Sequence, residues 1–171
     1  MDPTDAFWED SREIQDDYLK FIKYFKSEWV KRMFEEVGRS VPLKQKHEKI
    51  FDSTGEYVWP KVRSAIPGII ESIKTLYSRG FILYTSARLP STEMKMVLEA
   101  MGIKQFFSGF YGPDLINTRK HNPEFFELIF NQVNISSSRA IVIEDVPRFI
   151  ENACKAGAHV IQACVTGEFP P

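Results

Sequence analysis

From Ile66 onward the chain alternates short apolar runs with amphipathic stretches, several of them closed by a glycine. Pro67-Gly68 leads into a helical pattern ending near Ser78-Arg79-Gly80, and Phe81-Ile82-Leu83-Tyr84 follows directly as a short apolar strand. A helix from about Ser91 to Met101, closed by Gly102, precedes a second strand over Phe106 to Tyr111. Asn122 and Pro123 carry the signature of a helix start, with asparagine as N-cap and proline at the first helical position. The helix they open carries Phe125, Phe126, Leu128, Ile129 and Phe130. A third strand at Ile141-Val142-Ile143, a helix from Pro147 to Ala156 closed by Gly157, and a last strand from His159 to Ala163 complete the series. Short continuous apolar strands separated by amphipathic helices predict an α/β chain with a parallel sheet covered on both faces.

The first third of the sequence has a different period. Phe7, Trp8, Ile14, Tyr18, Ile22, Phe25, Trp29, Met33 and Val37 recur mostly three or four residues apart between charges of both signs. That spacing predicts a long amphipathic helix whose apolar stripe packs inward. Gly38 can end it, and Pro42 opens a second, weaker helical stretch running towards Trp59-Pro60.

Composition narrows the function classes. With 22 lysines and arginines against 23 aspartates and glutamates, the net charge of −1 gives no electrostatic case for nucleic acid or an anionic membrane. No apolar stretch reaches the roughly 18 residues that span a bilayer, and the charged start Met1-Asp2-Pro3-Thr4-Asp5 is unlike a secretory signal, so a cytoplasmic protein is expected. Cys154 and Cys164, outside any CxxC or Cys/His cluster, read as reduced packing residues.

In open α/β sheets, ligands bind beyond the carboxyl ends of the strands. Thr85-Ser86 follows the first strand and Glu144-Asp145 the third, while Arg119-Lys120 precedes the helix between them. Taken singly, each has a plainer role: Thr85-Ser86 or Asp145 would cap the next helix, and Lys120 would be a solvated surface lysine. Together they bring a hydroxyl, an ammonium and a carboxylate to one edge of the sheet.

As a set these residues resemble the haloacid dehalogenase superfamily over about residues 60 to 165. Phe81-Ile82-Leu83-Tyr84-Thr85-Ser86 is similar to the family's second motif, a strand ending in Thr or Ser. Lys120-His121-Asn122-Pro123 is similar to its lysine motif. Ile143-Glu144-Asp145-Val146-Pro147, with Ala156-Gly157-Ala158 closing the next helix, resembles the fourth motif in the subgroup containing β-phosphoglucomutase. The resemblance implies a three-layer, Rossmann-like parallel sheet, with residues 1–60 as a helical cap and 61–171 as the core. It also implies a Mg²⁺-dependent phosphatase or phosphotransferase acting on a small phosphorylated metabolite. Thr85 and Lys120 would be the catalytic residues, Ser86 and Arg88 would touch the substrate, and Asp145 with Glu144 would hold the Mg²⁺. The physical fit is direct: a transferring phosphoryl group is stabilised by hydrogen-bond donors, a positive charge and a hard cation. Val146 and Phe149 depart from the smaller residues common there and imply a drier, bulkier site floor.

The larger departure concerns the nucleophile. The family begins with a buried apolar strand ending in Asp-x-Asp, whose first aspartate attacks phosphorus. Asp2, Asp5 and Asp10 have no apolar run before them, and Asp52-Ser53-Thr54-Gly55 follows a segment too charged for a central strand. The usual central first strand is therefore missing from the pattern. Either the natural protein begins upstream and this chain is truncated, or catalysis has been lost and a phosphate- or protein-binding scaffold kept; as written, the chain is expected to be inactive. Without that strand, the Thr85 and Asp145 strands are expected to pair directly, or a segment of this or another chain to fill the gap. Substrate identity and homo-oligomerisation are left open.

Overall fold

The computed structural model describes residues 17–164. Phe7, Trp8 and Ile14 of the expected stripe, and the candidate aspartates Asp2, Asp5 and Asp10, lie outside the described residues. Helix α1 (Tyr18–Glu36) starts at Asp17, whose carboxylate accepts the Lys20 N–H at 3.1 Å and so satisfies an orphan donor of the first turn. It ends before Gly38, which adopts φ +64°, as expected of a glycine past a helix end. One 3-10 turn (Lys44–Lys46) leads into α2 (His47–Val58), packed on α1 through an aromatic cluster. Phe51 meets Phe25 and Trp29 edge to face, with ring centroids 5.9 and 5.2 Å apart. Buried His47 ties the connection to both helices. Its Nε2 lies 2.9 Å from the Pro42 carbonyl, which can only accept, so Nε2 carries the proton and Nδ1 accepts from the Ser27 hydroxyl at 3.0 Å.

The remaining elements are α3 (Ile69–Ser78), β1 (Leu83–Ser86), α4 (Ser91–Ala100), β2 (Phe107–Tyr111), α5 (Pro113–Ile116), α6 (Glu124–Gln132), β3 (Ile141–Glu144), α7 (Pro147–Lys155) and β4 (His159–Gln162). All strand pairing is parallel, and helices lie between successive strands, in agreement with the α/β class. The sheet is nevertheless divided. Strands β1 and β2 form one pair, with Thr85 opposite Phe110. Strands β3 and β4 form another, with Ile143 opposite Ile161. The expected direct pairing of β1 with β3 is absent, and among the described residues no strand lies between them.

The core gathers Phe125, Phe126, Ile129 and Phe130 of α6 against Ala140 just before β3, Val142 within it and Ala153 of α7. Along β3, Val142 and Glu144 are buried, whereas Ile141 and Ile143 are 54% and 56% exposed. Burial thus has period two, and the expected coverage of both faces does not extend to this strand among the described residues. Cys154 and Cys164 are free thiols, but both are exposed and neither belongs to the buried core in which they were expected to pack. No helix of the described residues is long and apolar enough to cross a membrane.

The helical pair reaches the rest of the chain through specific contacts. The Leu19 N–H donates to Asn117 Oδ1 at 2.9 Å, and the 3-10 turn Trp59–Lys61 lies against α4. Helix α4 is in turn held by Asp114: one carboxylate oxygen accepts the Ser91 N–H at 2.7 Å and the other the Ser91 hydroxyl at 2.6 Å.

Candidate active site

Strands β1 and β3 end side by side without a shared ladder, and Lys120 spans the interval. Its ammonium donates to the Ser86 carbonyl at 2.7 Å and to Glu144 Oε2, tying the tip of one sheet to the tip of the other. The side chains of Lys120 and Glu144 are 8% and 6% exposed. Glu144 Oε1 completes the arrangement by accepting the Asp145 and Val146 N–H groups at 3.2 and 3.3 Å. Donors on both oxygens offset the desolvation of the buried Glu144 side chain, and its contact with the ammonium offsets part of the burial cost of Lys120.

The walls around this pair are aromatic. Phe149 and Phe126 place their ring centroids 5.2 and 5.7 Å from Lys120 Nζ, within cation–π range. Phe149 is 3% exposed, a bulky ring buried beside the Lys120 ammonium. Asn152 of α7, also buried, donates from Nδ2 to the Lys120 and His121 carbonyls, both at 3.2 Å, fixing the backbone that carries the lysine. Burial pushes the Lys120 pKa below the ordinary lysine value, with Arg88 adding to the fall, while Glu144 and Asp145 favour the charged form. An ammonium has three donors. Two are engaged here, which leaves one for an anion at the strand tips.

None of the plainer roles for these residues is found. Lys120 is buried rather than solvated, and neither α4 nor α7 has a side-chain cap, so Thr85, Ser86 and Asp145 cap nothing. Thr85 Oγ accepts the Tyr111 N–H at 3.1 Å, which orients the hydroxyl and leaves its proton to be donated. Arg88 and Lys120 line one cavity. Glu144, read from the sequence as a metal ligand, has both oxygens taken by donors. Asp145 is the carboxylate that remains. Among the described residues no cluster of three acidic, histidine or cysteine side chains is present. Mg²⁺ commonly takes one or two carboxylates together with waters and phosphate oxygens, a requirement that Asp145 meets at its minimum.

Asp52 lies in the middle of α2, not at a strand tip, and its Oδ1 accepts from Lys26 Nζ at 2.6 Å. The other described aspartates are also committed: Asp17 caps α1 and Asp114 holds Ser91.

Several participants had no clear sequence signal. Asn152 could be suspected as the polar residue on an apolar face that includes Phe149 and Ala153. Glu93, an ordinary acidic residue in the first turn of α4, faces Lys26, Asp52 and Asp114, and burial with those two aspartates raises its pKa to about 7. Lys26 and a hydrogen bond from Trp59 oppose that rise.

Comparison with known proteins gives a consistent picture. A model of the family described as haloacid dehalogenase-like hydrolase matches residues 10–163. A phosphoglycolate phosphatase of Vibrio cholerae is 27% identical over 120 residues, covering 70% of this chain and 53% of that protein. A phosphorylated carbohydrates phosphatase of Thermotoga maritima is 24% identical over 99 residues, 58% of this chain and 46% of its own length. The chain thus spans about half the length of the curated relatives it matches. Among solved structures, a candidate β-phosphoglucomutase from Thermotoga maritima superposes with a TM-score of 0.65 at 19% identity, covering 95% of this chain and 79% of the other. The L-2-haloacid dehalogenase of Xanthobacter autotrophicus superposes with a TM-score of 0.58 at 11% identity, covering 81% and 57%. At these identities the structural likeness speaks for the fold.

Proposed function

The chain belongs to the haloacid dehalogenase-like hydrolase family, and on that premise we propose that its strand-tip crevice binds the phosphoryl group of a small phosphorylated metabolite, as part of a Mg²⁺-dependent phosphatase or phosphotransferase. The observation that carries this reading is Lys120: its ammonium, held at the strand tips by the Ser86 carbonyl and Glu144, keeps one N–H beyond those two bonds and lines the cavity beside β1. Its remaining N–H would meet a phosphate oxygen. Thr85 would donate its hydroxyl hydrogen, Ser86 would contribute its backbone N–H, and Arg88 would face the ester. Asp145 would hold the Mg²⁺, which when bound neutralises phosphate charge; Glu144 would serve by holding Lys120 in place. The cytoplasm is the proposed setting.

Attack on phosphorus needs a nucleophile, and every described aspartate except Asp145 is committed elsewhere. That observation favours a second reading, a non-catalytic module that binds phosphate or a protein partner at the same crevice. Release of inorganic phosphate from 4-nitrophenyl phosphate separates the two. Turnover that requires Mg²⁺ and falls with Asp145→Asn supports the enzyme. A folded protein that phosphate stabilises thermally, but that turns nothing over, supports the binding module. Neither turnover nor stabilisation by phosphate would overturn the phosphoryl-binding reading itself.

A further inference from the structure

Next to Lys120 the described residues line a half-open cavity of about 540 Å³ between α1, α2 and the segment that follows β1. Its two ends differ in chemistry. Arg88, Arg119, Lys120 and His121 lie together at the strand-tip end. The remainder is largely aromatic: Phe21, Phe25 and Trp29 of α1, Phe51 of α2 and Trp59 beyond it, with Leu89 and Pro90. The rings are fixed against one another, Phe21 to Phe25 at 5.7 Å and Phe51 edge-on to both Phe25 and Trp29. Among the described lining residues Glu93 is the one acid. At the other end, the Lys120 ammonium has a third N–H beyond its bonds to the Ser86 carbonyl and Glu144, and that donor suits an anion.

We infer that this cavity receives the aromatic body of a phosphomonoester whose phosphate rests at Lys120, so that the chain's substrate or ligand class is an aryl, or comparably large and apolar, phosphate ester. The inference rests on the phosphoryl-binding reading above and adds the identity of the ester group to it. Size and polarity both point this way. A volume near 540 Å³ is in the range of small-molecule sites, whereas a two- or three-carbon polar body would fill only a small part of it. A compact sugar would bring hydroxyl groups to a surface with few partners for them, at a desolvation cost that the rings cannot offset. A flat ring fits offset or edge-on against Phe25, Trp29 and Phe51, and its burial removes apolar surface from water on both sides.

The test compares ligands on the unmodified chain, by calorimetry or by the fluorescence of Trp29 and Trp59, with Mg²⁺ present. Inorganic phosphate, glycerol 3-phosphate, 1-naphthyl phosphate and 1-naphthol are titrated in turn. The inference predicts that 1-naphthyl phosphate binds at least about tenfold more tightly than glycerol 3-phosphate and than 1-naphthol. It also predicts that Phe25→Ala weakens 1-naphthyl phosphate more than glycerol 3-phosphate. Equal affinity for 1-naphthyl phosphate and glycerol 3-phosphate, with inorganic phosphate bound, overturns the inference and leaves the phosphoryl-binding reading standing. Failure of inorganic phosphate to bind, or equal affinity for 1-naphthyl phosphate and 1-naphthol, overturns the phosphoryl-binding reading and the inference with it. Because the decisive comparison uses the unmodified chain, it does not depend on any variant folding.

Discussion

The Lys120 ammonium lies 2.7 Å from the Ser86 carbonyl oxygen, and through that bond and its pairing with Glu144 it joins two sheets that share no backbone ladder. A side chain placed where a charge can meet phosphate is therefore also a structural tie. Stability and ligand binding are coupled at this one residue.

Breaking the buried pair from one side leaves a charge without its partner. Lys120→Met is expected to cost about 3–5 kcal/mol, read from urea denaturation, because Glu144 stays buried and unpaired. Adding Glu144→Gln to Lys120→Met should recover much of the loss, since no charge then remains. Additive losses in the double variant would show that the two residues act separately.

Glu93 supplies a pH signature. It faces Lys26 from α1, Asp52 from α2, Asp114 from α5 and the Trp59 side chain, and its pKa in the folded chain is raised to about 7. Between the ordinary carboxyl value near 4.5 and that raised value, the folded chain binds more protons than the unfolded one, so stability falls as pH rises. Glu93→Gln removes this dependence. Its stabilising effect should be near zero around pH 4.5 and grow to about 1 kcal/mol above pH 7, the site's partial exposure screening the rest. A gain that does not vary with pH would contradict the assignment.

Gly112, between β2 and α5, and Asp114, in the first turn of α5, are expected to be intolerant of change. A Cβ at Gly112 would sit 2.3 Å from the Leu89 carbonyl oxygen and 3.0 Å from the Ser91 nitrogen, both backbone atoms that cannot rotate aside. Asp114→Ala strips both partners from buried Ser91. Each substitution should cost about 2 kcal/mol or more in thermal or urea unfolding.

Strand β3 should respond with a period of two. Val142→Ala is expected to cost about 1–2 kcal/mol, whereas Ile143→Thr on the exposed face should change stability by less than about 0.5 kcal/mol. Comparable losses at both positions would mean that the outer face is covered.

The alternation after Ile66 was legible because the period changes from helical to extended and glycines punctuate it; both ends of α4, β2, β3, α7 and β4 lie within one residue of the boundaries it predicts. Strand β1 was placed early. The Phe81 N–H is taken by the Leu76 carbonyl at 3.2 Å in the closing turn of α3, so pairing starts only at Leu83. Helix α5 (Pro113–Ile116) is too short to show periodicity and was missed. At the site, the residue types at the strand tips were legible, but the direction of Glu144 was not. Its partner Lys120 lies 24 residues away, and only the fold decides that this carboxylate turns inward to an ammonium. The cavity was invisible for the same reason: the stripe on α1 reads as packing, and part of it lines a cavity together with Phe51 and Trp59.

Calorimetric titration of inorganic phosphate into the folded chain, with and without Mg²⁺, in parallel with Asp145→Asn, tests the phosphoryl-binding crevice most directly. Saturable binding that Mg²⁺ strengthens, with the Mg²⁺ effect lost in Asp145→Asn, is the predicted result. A folded chain that binds no phosphate under either condition would contradict it.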